Sequence, residues 1–391
     1  MFFIITANIP SGFTQWKKVN SGFSNDLFDV QTIGKFAFAC GQNSKIIQSR
    51  DSGKTWKSLV LTIPANLRCL YFSDTLKGFV SGENARIQKT TDGGKTWSQK
   101  YIRTAAFAYD ITFQGQFGLA VGKEMMVVSS DNDGENWSLD TTYKLSKQLN
   151  SVAISPGGIC WAVGDSGVII RKTLSLKKWT LVPSGTKINL TSVTCFDDSI
   201  VVICGGMPDT AQVGVHFNVY LISRDTGKTW EQSLIPEMKT ILSAYFITPD
   251  TGIMSGTNGI ICKIYHPLYS RGQQISGTAN ALNRITYADG YGLVVGDGGT
   301  ILRTINFGGN GLSVYNTHSN FPEVFPNPCF DFLEIQNENK ISEIRCVYAD
   351  GKCENLNFQN QKIDVSELPP GIYVLYIVTE NGVFTLKIAK H

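Results

Sequence analysis

Apolar and polar positions follow one repeating plan along most of the chain. Residues 70–97, LYFSDTLKGFVSGENARIQKTTDGGKTW, show it whole. A short apolar strand, a turn and a second strand ending in Gly are followed by a short loop, a third strand, a polar turn and a strand headed by Trp. Such short alternating runs, broken by Gly and Asp, predict strands and tight turns. Residues 152–173 and 285–304 repeat the first three strands. Trp16, Trp56, Trp97, Trp137, Trp179 and Trp230 set the period, with steps of 40, 41, 40, 42 and 51 residues. Four short strands in a period of about 40 residues is the plan of one blade in a radial array of sheets.

Seven units can be counted, with second strands near Cys40, Val80, Val121, Val163, Cys204, Ser255 and Val295. In the sixth unit Gly272 stands where Trp is expected, and the seventh, ending RTINFGGNG, also lacks it. At the other end, TQWKKVNSG (residues 14–22) is a Trp-led strand with no unit before it. That strand is expected to complete the seventh sheet, so that no orphan edge remains. The sequence therefore predicts an all-β protein: a seven-bladed β-propeller over residues 14–311, a linker at 312–321 and a small C-terminal β-sandwich over 322–391.

Composition fits this picture. The chain of 391 residues is 42% hydrophobic and 17% charged, with 38 Gly and 14 Tyr, as a globular strand-and-turn protein would be. The net charge of +3 is uneven: residues 319–391 hold six Lys/Arg against ten Asp/Glu, which leaves +7 for the rest. That is too mild and too scattered for a nucleic-acid binder. No apolar run is long enough to span a membrane. Of nine Cys, six lie in apolar strand-like runs as small buried hydrophobes. Cys346 and Cys353, in CVYADGKC, could be set opposite each other by a hairpin, as a disulfide or as two free thiols. The start, MFFIITANIPSG, reads as the apolar end of a secretory signal over residues 1–13, or as a short leading strand.

The polar turn before each Trp is itself a motif. Ser49-x-Asp51-x-Gly53-x-Thr55-Trp56 returns as Thr90-x-Asp92-x-Gly94-x-Thr96-Trp97 and Ser223-x-Asp225-x-Gly227-x-Thr229-Trp230. In the fourth copy Asn132 replaces Asp before Trp137; around Trp179 only the Trp survives. Asp at the head of a turn accepts backbone N–H bonds, Gly supplies a conformation other residues avoid, and Trp covers the turn and fills the gap between neighbouring sheets. The motif resembles the BNR or Asp-box repeat, and the region resembles the seven-bladed propeller of the photosystem II stability and assembly factor type. That resemblance implies a fold and the binding of a polypeptide, with the box residues as structural staples.

The tail carries a second resemblance. Pro326, Asn327, Pro328, Asp331 and Leu333, then Asp364, Val365, Ser366, Leu368, Pro369, Gly371, Ile372 and Tyr373, and finally Lys387 and Ile388 stand in the order of the type IX secretion C-terminal sorting domain of Bacteroidetes. The resemblance implies export through the periplasm to the cell surface or the medium, with the secretion machinery as a partner.

Catalytic and metal chemistry find little support. The arginines of the ring lack the Phe/Tyr-Arg-Ile-Pro motif of Asp-box sialidases, and carboxylates such as Asp110 or Asp165 have no distinctive local context. Residues 129–140 faintly resemble a calcium loop, but their register is that of a box. Four scattered His make no zinc set. No catalytic residue, cofactor or metal is expected. The loops between second and third strands share one face with those leading into each unit, and there residues 205–219, GGMPDTAQVGVHFNV, add roughly ten residues to the period. On that face Arg68, Arg86 and Arg284 are the expected contacts for an acidic protein or glycan ligand. The sequence thus predicts a secreted, non-enzymatic binding propeller, the alternative being an extracellular glycoside hydrolase of sialidase or xyloglucanase type.

Overall fold

The computed structural model describes residues 16–305 and 323–390, apart from 62–63, 84–85, 101, 103–105, 141–146, 175–177, 207–216, 237–238, 266–269, 289, 326–328, 337–340, 348–352 and 380–381. The segments read as a signal and as a linker, and the added loop of the fifth unit, fall outside the described residues. The chain separates into two compact units, Met1–Gly311 and Leu312–His391.

Among the described residues of the first unit, strands pair into seven four-stranded antiparallel sheets. The first runs in chain order through Leu27–Ile33, Phe36–Gly41, Ile46–Ser49 and Lys57–Leu59. Five more repeat that order over residues 67–100, 108–139, 149–182, 190–236 and 241–274. The seventh takes three strands from residues 282–304 and its outermost strand from the far end of the chain: Lys17 lies opposite Arg303, and Val19 opposite Ile301. The first strand of each sheet packs on that of the next, and Leu282–Ala288 packs on Leu27–Ile33, which closes the series.

The core lies between the sheets. Phe38 of the first sheet stacks on Phe72 of the second at 3.6 Å, and Phe79 on Phe113 of the third at 4.3 Å. A Trp heading the fourth strand seals such a seam in several sheets: Trp97 meets Phe72 edge-on, and Trp137 meets Phe113 in the same way. Trp16 does this for the seventh sheet, buried, with its Nε1 donating to Gln274 Oε1 of the sixth at 2.6 Å. In the sixth sheet Gly272 lies opposite Lys263, as Lys57 lies opposite Gln48. Arg271, not Gly272, therefore takes the position of the missing Trp.

The boxes form as hydrogen-bonded turns. Asp51 Oδ1 accepts the N–H groups of Lys54 and Thr55 at 3.0 and 2.9 Å, and Oδ2 accepts the Thr55 hydroxyl at 2.7 Å. Ser49 Oγ donates to Asp51 Oδ1 and accepts from Gly53 N–H, while Trp56 Nε1 donates to Gly53 O. Asp92 and Asp225 make the same bonds to Thr96 and Thr229, and Asn132 still accepts Asn136 N–H at 2.9 Å. Trp97 and Trp137 repeat the indole bond, to Gly94 O and Gly134 O. Trp230 departs from the pattern, its Nε1 buried without a partner and its ring edge-on to Trp161. Glycine is needed in these turns for two reasons at once. Gly227 has φ +77°, and a Cβ there would come within 2.4 Å of Trp161 in the preceding sheet.

In the second unit one sheet joins Glu323–Phe325, Phe332–Gln336, Lys362–Asp364 and Phe358–Gln359; the other joins Cys353–Asn355, Ile341–Val347, Gly371–Thr379 and Gly382–Lys390. Both contribute to one core containing Leu333, Ile363, Ile344, Leu375 and Ile388. The hairpin expected to set Cys346 opposite Cys353 pairs one residue out of that register: Cys346, which is buried, lies opposite Glu354, and Cys353 lies opposite Val347. Tyr373 is buried and donates its hydroxyl to Pro369 O, Gly371 pairs with Lys390, and Lys387 lies opposite Val374. Pro326, Asn327 and Pro328 fall outside the described residues.

Candidate functional site

The two ends of the ring differ in what they carry. At one end the box turns meet the turns between first and second strands, as where Ser52 N–H donates to Lys35 O. At the other, loops between second and third strands meet the segments leading into each sheet, as where Gln42 N–H donates to Asp26 O. Every inner strand starts at this second end, and each starts in the same way. Its first residue is fully buried: Leu27, Leu67, Ala108, Leu149, Leu190, Ile241 and Leu282. Between that residue and the one two places on, all seven sheets shift register. Such a bulge re-aims the residue it holds. Phe28, Arg68, Tyr109, Asn150, Thr191, Leu242 and Asn283 are those residues, and together they line a cavity of about 210 Å³.

These seven side chains divide by task. Asn150 Nδ2 donates to Leu190 O at 2.9 Å, Asn283 Nδ2 to Leu27 O at 2.9 Å, and Thr191 Oγ1 to Ile241 O at 3.1 Å. Each of these bonds ties a sheet to the next. Phe28, Arg68 and Tyr109, on three consecutive sheets, form a wall instead. Arg68 is exposed, with its guanidinium carbon 3.8 Å from the centre of the Phe28 ring. Tyr109 donates its hydroxyl to Gln148 Oε1 at 3.1 Å. Among the described residues, no carboxylate pairs with Arg68.

One residue deeper stand Asp29, Cys69, Asp110, Ser151, Ser192, Ser243 and Arg284. Asp29 accepts Val30 N–H in its own strand and Leu70 N–H in the next sheet, both at 2.8 Å. Asp110 likewise accepts Ile111 N–H, Val152 N–H and the Ser151 hydroxyl. Ser151 and Ser243 accept N–H groups of Val193 and Ile285. Arg284 has no acceptor to offer. It reaches Asp29 Oδ1 with Nε at 3.0 Å and Asp110 Oδ1 with Nη2 at 3.1 Å, joining the seventh sheet to the first and third. Burial pushes the Asp29 carboxyl up to about 6, with Arg284 opposing and Asp110 adding to the rise. Asp29 and Arg284 also bound a second cavity of about 220 Å³, lined by residues farther along the inner strands.

The structure thus brings Arg68 and Arg284 to one opening and leaves Arg86 outside it. Arg86 is half-buried in the loop after Gly78–Gly82, its N–H donating to Glu83 O, and it lines neither cavity. The expectation that Arg284 meets an acidic ligand must accommodate two carboxylates of this chain already paired with it. Phe28, Tyr109 and Asp29 escaped the sequence reading, and Asp110 was set aside. Stacking the seven units on their first buried inner residue would have exposed all four.

Metal chemistry gains nothing from the geometry. Around the loop that resembles a calcium site, Asp133 pairs with Lys77 and Lys89, and Glu135 with Lys89 and Lys100. Among the described residues no group of three His, Cys, Asp or Glu is placed to hold a metal ion.

Residues 56–150 match the family described as photosynthesis system II assembly factor YCF48. Residues 323–391 match the secretion system C-terminal sorting domain. Among solved structures, YCF48 bound to D1 peptide aligns at 17% identity and TM-score 0.61, over 75% of this chain and 98% of that one. YCF48 from Cyanidioschyzon merolae aligns at 16% and 0.59, over 74% and 98%. The WD40 propeller domain of Doa1 aligns at 13% and 0.59, over 73% and 94%. These likenesses show an all-β, propeller-like fold. No curated protein matches the chain. The sorting domain indicates secretion to the cell surface or beyond. Among the described residues no helix is long and apolar enough to cross a membrane.

Proposed function

We propose that the first unit is a closed seven-bladed propeller that binds an extended, carboxylate-bearing polypeptide at the Phe28–Arg68–Tyr109 wall. The second unit is a β-sandwich read by the type IX secretion machinery, with the propeller spanning residues 14–311 and the tail 322–391. The observation that carries the reading is the exposed guanidinium of Arg68, without a carboxylate partner among the described residues, held over the Phe28 ring at the rim of a cavity. Contact with the ring restrains the guanidinium, whose N–H groups can then take a planar carboxylate. The similar structure of YCF48 bound to D1 peptide favours a polypeptide over other carboxylates.

Catalysis has weaker support. A glycosidase needs one carboxylate free as nucleophile or base and another as acid. Asp29 and Asp110 both bond backbone N–H groups and share Arg284, which supports a structural assignment for both. The test is an array of peptides varied in acidic content and with free or amidated C-termini, probed with the wild type and Arg68→Ala. Binding that follows carboxylate content and falls about tenfold or more in Arg68→Ala supports the reading. Equal binding of the two proteins refutes it.

A further inference from the structure

The cavity of about 220 Å³ below Arg284 is a different chemical environment from the mouth. Its lower walls carry Gln31, Tyr71, Thr112, Thr194, Tyr245 and Thr286, all half-buried and so still reachable by solvent. Tyr71 stands on the second sheet and Tyr245 on the sixth. Tyr71 donates its hydroxyl to Phe113 O and packs against the Phe113 ring at 5.2 Å; Tyr245 lies 6.3 Å from Tyr287. Both rings are therefore braced from behind. Gln31 is fixed by bonding Phe72 N–H and O in the next sheet. The roof is the Asp29–Arg284–Asp110 group, which offers donors and acceptors together.

We infer that this chamber is a second binding site, separate from the mouth, for one neutral polyhydroxylated unit such as a single pyranose. Three features select that class. The volume lies below the roughly 300–1,000 Å³ of sites for drug-sized ligands, so the occupant is small. Hydroxyls and braced aromatic rings suit a ring that carries alcohols around its edge and C–H groups on its faces. Two carboxylates facing one guanidinium disfavour an anion, and the guanidinium disfavours a cation. Arg284 and Asp29 stand between this chamber and the mouth and line both, whereas Arg68 lines the mouth alone.

The test titrates the wild-type chain with methyl glycosides of glucose, galactose, mannose and N-acetylglucosamine, followed by ligand-observed NMR and calorimetry. At least one glycoside should bind with a dissociation constant of about 1 mM or tighter, as befits so small a ligand. Crystals soaked in that glycoside should show it between Tyr71 and Tyr245, beneath Arg284. The volume-conserving pair Thr112→Val with Thr194→Val should weaken binding about tenfold, while Arg68→Ala leaves it unchanged. Absence of binding by all four glycosides overturns the inference, as does density at the mouth or equal affinity in the valine variant. The polypeptide reading of the mouth stands or falls separately, on Arg68→Ala and the peptide array.

Discussion

The box turns and the centre of the ring use the same residue, aspartate, in opposite ways. In the boxes, Asp51, Asp92 and Asp225 sit at the surface and collect N–H and hydroxyl bonds from four residues or fewer along the chain. For Asp51 burial is the largest single influence and raises the carboxyl, but the bonds it accepts from Thr55, Ser49 and Lys54 together bring it down to about 2; bonds accepted from Thr96 and Thr229 do the same for Asp92 and Asp225. At the centre Asp29 takes backbone N–H bonds too, yet burial holds its carboxyl near 6. A carboxylate bonded locally in water is a cheap staple, repeated wherever the period repeats. A carboxylate buried beside a guanidinium and another carboxylate is costly, and it occurs where three sheets meet one opening.

The largest effect should follow from Arg284→Met. It strands two buried carboxylates, so urea denaturation should show a loss of about 3–5 kcal/mol. A loss below about 1 kcal/mol would mean that water already solvates the pair and would erase the contrast. Next comes Gly227→Ala, which sets a Cβ against Trp161 and a side chain at positive φ. A cost of about 1–3 kcal/mol by the same assay is expected.

The smallest effect is a difference in pH dependence. Asp29 has a folded pKa above that of the unfolded chain, so its contribution is fully present below about pH 4 and is lost as the pH rises through about 6. The box carboxylates, near 2, contribute above about pH 4 and lose that contribution as the pH falls through about 2. Between about pH 4 and 7, thermal melts of the wild type should therefore decline relative to Asp29→Asn. The deficit of Asp51→Asn should stay constant across that range and shrink only below it. Parallel curves for all three proteins would show that the two kinds of carboxylate titrate alike.

The fold was readable because its signals are local. Trp at a fixed step, Asp and Gly at fixed places in a turn, and Gly at the end of each second strand all lie within one unit. The pairing of Lys17–Val19 with Thr300–Thr304 could be reasoned from a strand left over at each end. Register was less legible: Gly272 was assigned the place that Arg271 holds, and Cys346 faces Glu354 in place of Cys353, since a one-residue slip leaves the apolar pattern nearly unchanged. The centre was the hardest to read. Asp29, Asp110 and Arg284 lie 81 and 174 residues apart, and only closure of the ring makes them neighbours. Arg68 was found by its face alone, and nothing local marks Phe28 as the ring beneath it.

The central claim is that binding belongs to the centre of the ring and structure to the boxes. Isothermal titration of the tightest peptide from the array into the wild type, Arg68→Ala and Asp92→Ala tests it most directly. The account predicts a loss of about tenfold or more for Arg68→Ala and an unchanged affinity for Asp92→Ala. An unchanged affinity for Arg68→Ala, or an equal loss for both variants, would contradict it.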